Sequence, residues 1–205
     1  MRYGMLIDLK RCVGCQNCAL ACKVANNLPN GIWWNRVLTA GGDHLDTAAG
    51  EYPNNKMKFV PMNCQHCGNP SCVKACPTGA TYKREEDGII MQDYDKCIGC
   101  RMCMVACPYN ARSFNWKKPE YYTEHALGDA DATVHQYNVV EKCTFCANRI
   151  SRGEDPACME LCPVRARFWG DLDDPDSEIS RKLQGKNTIK LLEEKGTDPA
   201  IFYIE

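Results

Sequence analysis

Apolar residues along this chain come in short, widely separated runs, and none approaches the ~18 residues needed for a membrane-crossing helix. Met5-Leu6-Ile7-Asp8, Lys58-Phe59-Val60, Val139-Val140, Arg167-Phe168-Trp169-Gly170-Asp171 and Ile201-Phe202-Tyr203-Ile204 each predict one short strand. The first and fourth of these read as outer strands of one small sheet. Between Ala80 and Asp93 the pattern breaks at Asp87-Gly88, which predicts two strands around an Asp-Gly turn. A short helix is expected from Ser177 to Leu183. Segments 26–57 and 109–136 hold Gly, Pro, Asn and aromatics without a clear period, and predict long surface loops. Loops of that length are usually functional or touch a partner. The start, Met1 to Asp8, has no apolar h-region and no twin arginine, so no export signal is expected there.

Composition changes this picture at one point. Sixteen of the 205 residues are Cys, far more than a chain this long needs for stapling. The formal charge of -1 removes any electrostatic reason to expect nucleic acid. The cysteines form four groups of four: Cys12, Cys15, Cys18, Cys22; Cys64, Cys67, Cys72, Cys76; Cys97, Cys100, Cys103, Cys107; and Cys143, Cys146, Cys158, Cys162. Disulfides fit poorly, because each group contains a tight C-x2-C pair that closes only a short loop. Structural zinc would accommodate the fourth group taken alone. It does not suit the first and third, where three cysteines fall within seven positions. The remaining pattern, C-x2-C-x2-C-x3-C, is that of bacterial iron–sulfur proteins, in which the fourth Cys serves a neighbouring cluster. It occurs twice strictly and twice with the middle spacing stretched.

That spacing requires the backbone to curl tightly around one corner of a cube. Gly14 and Gly99, lacking Cβ, suit the close approach. Pro77, Pro108 and Pro163 follow the last Cys of three groups and would end the short helix carrying it, while Lys23 stands there in the first group. A group whose fourth Cys leaves for another cluster needs a partner group. The 20 residues between Cys76 and Cys97 suffice for a hairpin, so groups two and three should pair. Groups one and four then pair across them. The expected fold is α+β: two ferredoxin-like units, one inserted in the other, with long surface loops. Residues 1–57 plus 137–205 would form the first unit and 58–136 the second.

Other candidates are weaker. The histidines His44, His66, His125 and His135 are scattered. His66, within the second C-x2-C, reads as a plain loop residue more readily than as a donor to sulfur. Arg101 reads equally as a tuner of its cluster or as a solvated surface arginine. Trp33-Trp34 and Tyr121-Tyr122 mark either partner contacts or packing over a cluster loop. No glycine-rich phosphate loop occurs in strand–helix context, so no flavin or nicotinamide site is expected. With all sixteen cysteines engaged, no iron is left open to a substrate, and no catalytic residue is assigned.

The order of the groups, the stretched fourth group from Lys142 to Cys158 with Arg149, Gly153 and Pro156, and the tail Trp169 to Pro175 with Gly196-Thr197-Asp198-Pro199 and Tyr203-Ile204 resemble one kind of subunit. It is the four-cluster ferredoxin, or beta, subunit of molybdenum and tungsten oxidoreductases of the dimethyl sulfoxide reductase family. The tail is most similar to the polysulfide, thiosulfate, tetrathionate and arsenate reductase branch. The resemblance implies four [4Fe-4S] clusters and an electron-transfer role between a large bis-molybdopterin catalytic subunit and a quinone-linked membrane subunit. It implies cluster 1 on Cys12, Cys15, Cys18 and Cys162, and cluster 2 on Cys22, Cys143, Cys146 and Cys158. It likewise implies cluster 3 on Cys64, Cys67, Cys72 and Cys107, and cluster 4 on Cys76, Cys97, Cys100 and Cys103. Cluster 1 would face the catalytic subunit. Membrane association would come through a partner, on the extracytoplasmic face after co-export, with a cytoplasmic location as the alternative. The competing function is a soluble polyferredoxin serving several redox partners.

Overall fold

The computed structural model describes residues 1–41 and 46–205, so His44 lies outside the described residues. The elements are short. In chain order they are β1 (Tyr3–Asp8), α1 (Asn17–Ala25), β2 (Arg36–Ala40), β3 (Lys58–Met62), α2 (Ser71–Lys74), β4 (Thr81–Lys83), β5 (Ile90–Gln92) and α3 (Met102–Val105). There follow β6 (Ser113–Phe114), β7 (Val140–Glu141), α4 (Ala147–Ser151), α5 (Ala157–Glu160), β8 (Arg167–Asp171), α6 (Glu178–Leu183), β9 (Thr188–Ile189) and β10 (Ile201–Ile204). This is a mixed α/β chain of small sheets, with few helices.

The largest sheet has the order β8-β1-β10-β9. β8 runs antiparallel to β1, with Met5 opposite Trp169. β10 runs parallel to β1, with Met5 opposite Ile201 and Ile7 opposite Tyr203. β1 is therefore an inner strand, not an outer one, because the end of the chain returns beside it. Met5, Ile7, Ile201 and Tyr203 share one face and pack with Cys18, Cys158 and Phe145. Successive side chains in a strand alternate, so Leu6 points to the other face. There α6 packs against β1 and β8, with Ile179 fully buried.

Two stretches expected to be loops contain strands. Arg36 to Ala40 pair antiparallel with Met62 to Lys58, and Ala49 bridges Lys56. Ser113 and Phe114 pair with Glu141 and Val140. A strand of two residues leaves no period in the sequence, and β2 finds its partner only across a long excursion. The hairpin between groups two and three is present as β4 and β5, with Thr81 opposite Gln92. Asp87 is buried in its turn, where its carboxylate accepts from the Ile89 amide at 3.0 Å and pairs with Arg84 at 3.0 Å.

Segment 109–136 is also tied down at its end. His135 Nε2 lies 2.9 Å from the Asn26 carbonyl and Nδ1 2.8 Å from buried Glu141. Both neighbours accept, so both ring nitrogens donate, and the carboxylate raises the ring's pKa against the effect of burial. Trp34 packs edge-on against this ring at 5.8 Å.

Candidate metal centres

Each group opens on the same turn. The residue before the second Cys has a left-handed φ in all four: 70° at Gly14, 42° at His66, 68° at Gly99 and 58° at Phe145. At Gly14 a Cβ would fall 2.4 Å from the Phe59 ring, and at Gly99 2.6 Å from the Asn138 carbonyl oxygen. Glycine is thus required there by neighbouring chain as well as by φ. His66 and Phe145 adopt the same turn at a cost of about 1–3 kcal/mol each, which surrounding packing must hold. Such turns aim backbone amides inward, as anion-binding concavities do. Three amides already point at sulfur, each at 3.3 Å: Phe145 N to Cys143, Thr81 N to Cys76 and Ala166 N to Cys162.

The third Cys of each group sits in a helix and the fourth follows one turn later. Cys18 and Cys22 lie on α1, Cys72 on α2, Cys103 on α3 and Cys158 on α5. α2, α3 and α5 stop before the Cys-Pro pairs at Pro77, Pro108 and Pro163, whereas α1 runs on to Ala25. Lys23 explains the difference. Its Nζ donates to the carbonyls of Leu28, Pro29 and Ile32 at 3.2, 2.8 and 3.1 Å and shapes the loop that proline would otherwise begin. α1 packs against α5, and α2 against α3.

Two cavities bring thiols of the second and third groups together. One cavity is lined by Cys64, Cys67, Cys72 and Cys107, and closed by Tyr109 and Thr197. Another is lined by Cys76, Cys97, Cys100 and Cys103, with Arg101 at its wall. Cys22 is buried, and the neighbouring Cys143, Cys146 and Cys158 add to the rise that burial imposes on its thiol. Cys12 lies beside Cys15 and Cys18. Cys162 follows α5, the helix that packs against α1.

These residues fit iron–sulfur clusters. Burial and mutual repulsion push Cys67 and Cys146 up to about 12, so four such thiolates need a cationic core among them. Among the described residues no three His, Cys, Asp or Glu side chains converge as around a single ion. Each hydrophobic cluster among the described residues includes a cysteine, so the centres occupy the core.

His66 overturns the expectation of a plain loop residue. It is 2% exposed, stacked edge-on against Phe145 at 5.1 Å. Ile90 N donates to its Nδ1 at 3.1 Å, which leaves the proton of the neutral ring on Nε2. Nε2 has no well-formed partner among the described residues and sits beside the Cys64 thiol, whose pKa burial raises and the Lys142 charge and hydrogen bonding from His66 lower. Hydrogen bonds to cluster sulfur raise the potential. His66→Phe keeps a ring in the space and removes the donor, so the centre bound by Cys64 should be harder to reduce, as read by potentiometric spectroscopy. Unchanged potential would mean the ring only packs.

The tail was legible as a motif but not as a structural part. Gly68 N donates to the Asp198 carbonyl at 2.6 Å and Asn69 N to that of Thr197 at 3.0 Å. Tyr109 Oη meets Thr197 Oγ1 at 2.5 Å. Gly196 to Pro199 thus close over the second group. The aromatic pairs divide: Trp34 is buried, Trp33 carries Lys23 over its ring at 4.8 Å, and Tyr122 is exposed. Arg101 is exposed and stacks on Trp116 at 4.6 Å, rather than extending freely into solvent. His125 is exposed.

Residues 4–77, 55–123 and 96–167 each match the family of 4Fe-4S dicluster domains. The chain is 54% identical over 208 residues to a protein of Halobacterium salinarum named as a dimethyl sulfoxide reductase iron-sulfur subunit, covering 98% of this chain and 78% of that one. It is 38% identical over 233 residues to the arsenate respiratory reductase iron-sulfur subunit of a Shewanella species, across 100% of this chain and 96% of the other. A menaquinone reductase iron-sulfur cluster-binding subunit from Nitratidesulfovibrio vulgaris is 37% identical over 227 residues, across 100% and 89% of the two chains. Cysteine-lined centres within dicluster domains define an iron–sulfur electron carrier with several [4Fe-4S] clusters, as sixteen cysteines allow four. The chain belongs to the family of electron-transfer iron–sulfur subunits of molybdenum oxidoreductases.

Proposed function

We propose that the chain relays electrons along four clusters in a row, between a large bis-molybdopterin catalytic subunit and a quinone-linked membrane subunit. The ligand sets are Cys12, Cys15, Cys18, Cys162 for cluster 1 and Cys22, Cys143, Cys146, Cys158 for cluster 2. Cluster 3 takes Cys64, Cys67, Cys72, Cys107 and cluster 4 takes Cys76, Cys97, Cys100, Cys103. The two cavities, and the packing of α1 on α5 and α2 on α3, support this cross-ligation. They equally support an inserted unit, 58–136, within one made of 1–57 and 137–205. Bound, the clusters supply one-electron carriers; the chain's part is to order and insulate them. Cys158 neighbours Cys18, Cys143 neighbours Cys64, and Cys103 neighbours Cys72, so successive sets adjoin in the order 1 to 4.

One observation carries the two-ended reading. Of the sixteen cysteines only Cys15 and Cys100 are exposed, and they belong to the two terminal sets. Exposed apolar residues stand near each in the chain: Val13 and Leu20 for Cys15, Ile98 and Met102 for Cys100, whose neighbour Arg101 also stacks on exposed Trp116. Two such faces suit fixed partners. Membrane association would come through a partner, on the extracytoplasmic face; among the described residues no helix is long and apolar enough to cross a membrane. Purification of the native complex tests this. A stable assembly with a large molybdopterin protein is expected; a lone chain exchanging electrons with several carriers would favour the polyferredoxin reading.

Polarity has its own test. With cluster 1 toward the catalytic subunit, Arg101→Ser should lower the potential of cluster 4 slightly, solvent screening the loss of an exposed charge. Exchange with the quinone pool should slow while turnover with an artificial donor to the catalytic subunit holds. A shift at the centre nearest the molybdopterin would reverse the assignment.

A further inference from the structure

Three deeply buried cations have no carboxylate partner among the described residues. Arg167, Lys142 and Arg112 are exposed by 4%, 1% and 5%. Arg167 donates to Asn35 Oδ1 at 3.1 Å, Asn63 Oδ1 at 3.3 Å, Met5 Sδ at 3.5 Å and Cys158 Sγ at 3.6 Å. Lys142 donates to the carbonyls of Ile90 and Cys143. Arg112 Nη1 reaches Thr81 Oγ1 at 3.2 Å and Gln92 Oε1 at 3.1 Å, while its Nη2 is buried without a well-formed partner. All these acceptors are neutral groups or thiols. A guanidinium stays charged, and burying it against neutral dipoles alone is strongly unfavourable. A counter-charge must therefore come from something else beside them.

The positions identify it. Arg167 donates toward Cys158 Sγ with Cys18 nearby, Lys142 donates to the Cys143 carbonyl with Cys64 nearby, and Arg112 lines the cavity of Cys64 and Cys72 with Cys103 nearby. On the ligand sets proposed above, those are the junctions 1–2, 2–3 and 3–4. We propose that Arg167, Lys142 and Arg112 are the counter-charges of the cluster series, one at each junction, and that each sets the reduction potentials of the two clusters it separates. A cube with four thiolates carries about −2 oxidised and one unit more when reduced. A cation shared by two cubes favours the reduced form of both, so an electron crossing the junction stays near the same positive charge throughout. Interleaving also offsets repulsion along a row that takes the chain from -1 to about −9.

The inference rests on the four-cluster reading, and the test separates the two. In the intact complex, each centre is titrated by potentiometric spectroscopy in Arg167→Gln, Lys142→Met and Arg112→Gln. At a fixed poise the reduced-to-oxidised ratio should fall about tenfold, which is 59 mV for a one-electron couple, at both flanking clusters. Arg167→Gln should move clusters 1 and 2 and leave 3 and 4; Arg112→Gln should do the converse; Lys142→Met should move 2 and 3. Arg167→Lys and Arg112→Lys, which keep the charge, should restore most of the shift. Where Arg167→Gln or Arg112→Gln loses iron, the Lys variant must hold full iron and near-native potentials; where Lys142→Met does, Lys142→Arg must. Unmoved potentials with iron intact, a shift confined to one cluster, or a Lys variant as displaced as the Gln one overturns the counter-charge role. Fewer than four titrating centres in the unsubstituted protein overturns the ligand sets themselves.

Discussion

Cys22→Ser should destroy or convert the cluster bound by Cys143, Cys146 and Cys158, although Cys22 stands only four residues after Cys18. On α1 the two cysteines lie one turn apart on a buried face. Cys18 stays with its own group, while Cys22 comes beside the three cysteines of the fourth group, more than a hundred positions along the chain. Asn26 Nδ2, 3.6 Å from Cys22 Sγ and 2.9 Å from its carbonyl, holds that side chain in place. A serine oxygen is a poorer ligand for soft iron than thiolate. Cluster 2 should lose its signal or appear with three irons, the other three centres holding. If group one pairs with group two instead, the damage falls on the centre of Cys64, Cys67 and Cys72. Spectroscopy of the single substitution, with every centre assigned by its own knock-out, distinguishes the two.

Iron removal should cost the protein its tertiary structure. Four complete ligand sets predict about sixteen iron and sixteen inorganic sulfide per chain. Among the described residues only one sheet exceeds two strands, and isolated two-stranded hairpins are marginal in water. The hydrophobic clusters outside that sheet are small and each is built on cysteines. Anaerobic chelation should therefore abolish cooperative unfolding by circular dichroism and calorimetry rather than merely lower the midpoint. A chelated protein that still melts cooperatively would mean the sheet folds alone. Iron near eight, with zinc making up the rest, would mean the fourth or second group holds another metal.

Much of this was legible in the sequence. Thiol spacing is local: three cysteines within seven residues can only wrap something compact, and the glycine and proline positions follow from the same curl. The hairpin between groups two and three, and the strands at either end of the chain, were readable because apolar runs and an Asp-Gly turn are also local signals. β2 and β6 were not, since a strand of two to five residues is defined by the partner it meets. His66 was misjudged for a related reason. Sequence places it in a loop, and only the Ile90 amide donating to Nδ1 turns its remaining proton toward Cys64.

By itself, then, the sequence determined the number of ligand sets, the kind of metal centre they can hold and the family resemblance, because each depends on residues within one turn or loop of one another. Tertiary structure alone decided which thiols from distant groups come together, which cysteines reach the surface, and how Gly196 to Pro199 close over the second group. It alone buried Arg167, Lys142 and Arg112 among the cysteines. Nothing about an arginine in a sequence says that it will be buried. That depends on the long-range packing of β8, β7 and β6 around the cysteines, and on electrostatics that exist only once the chain has folded.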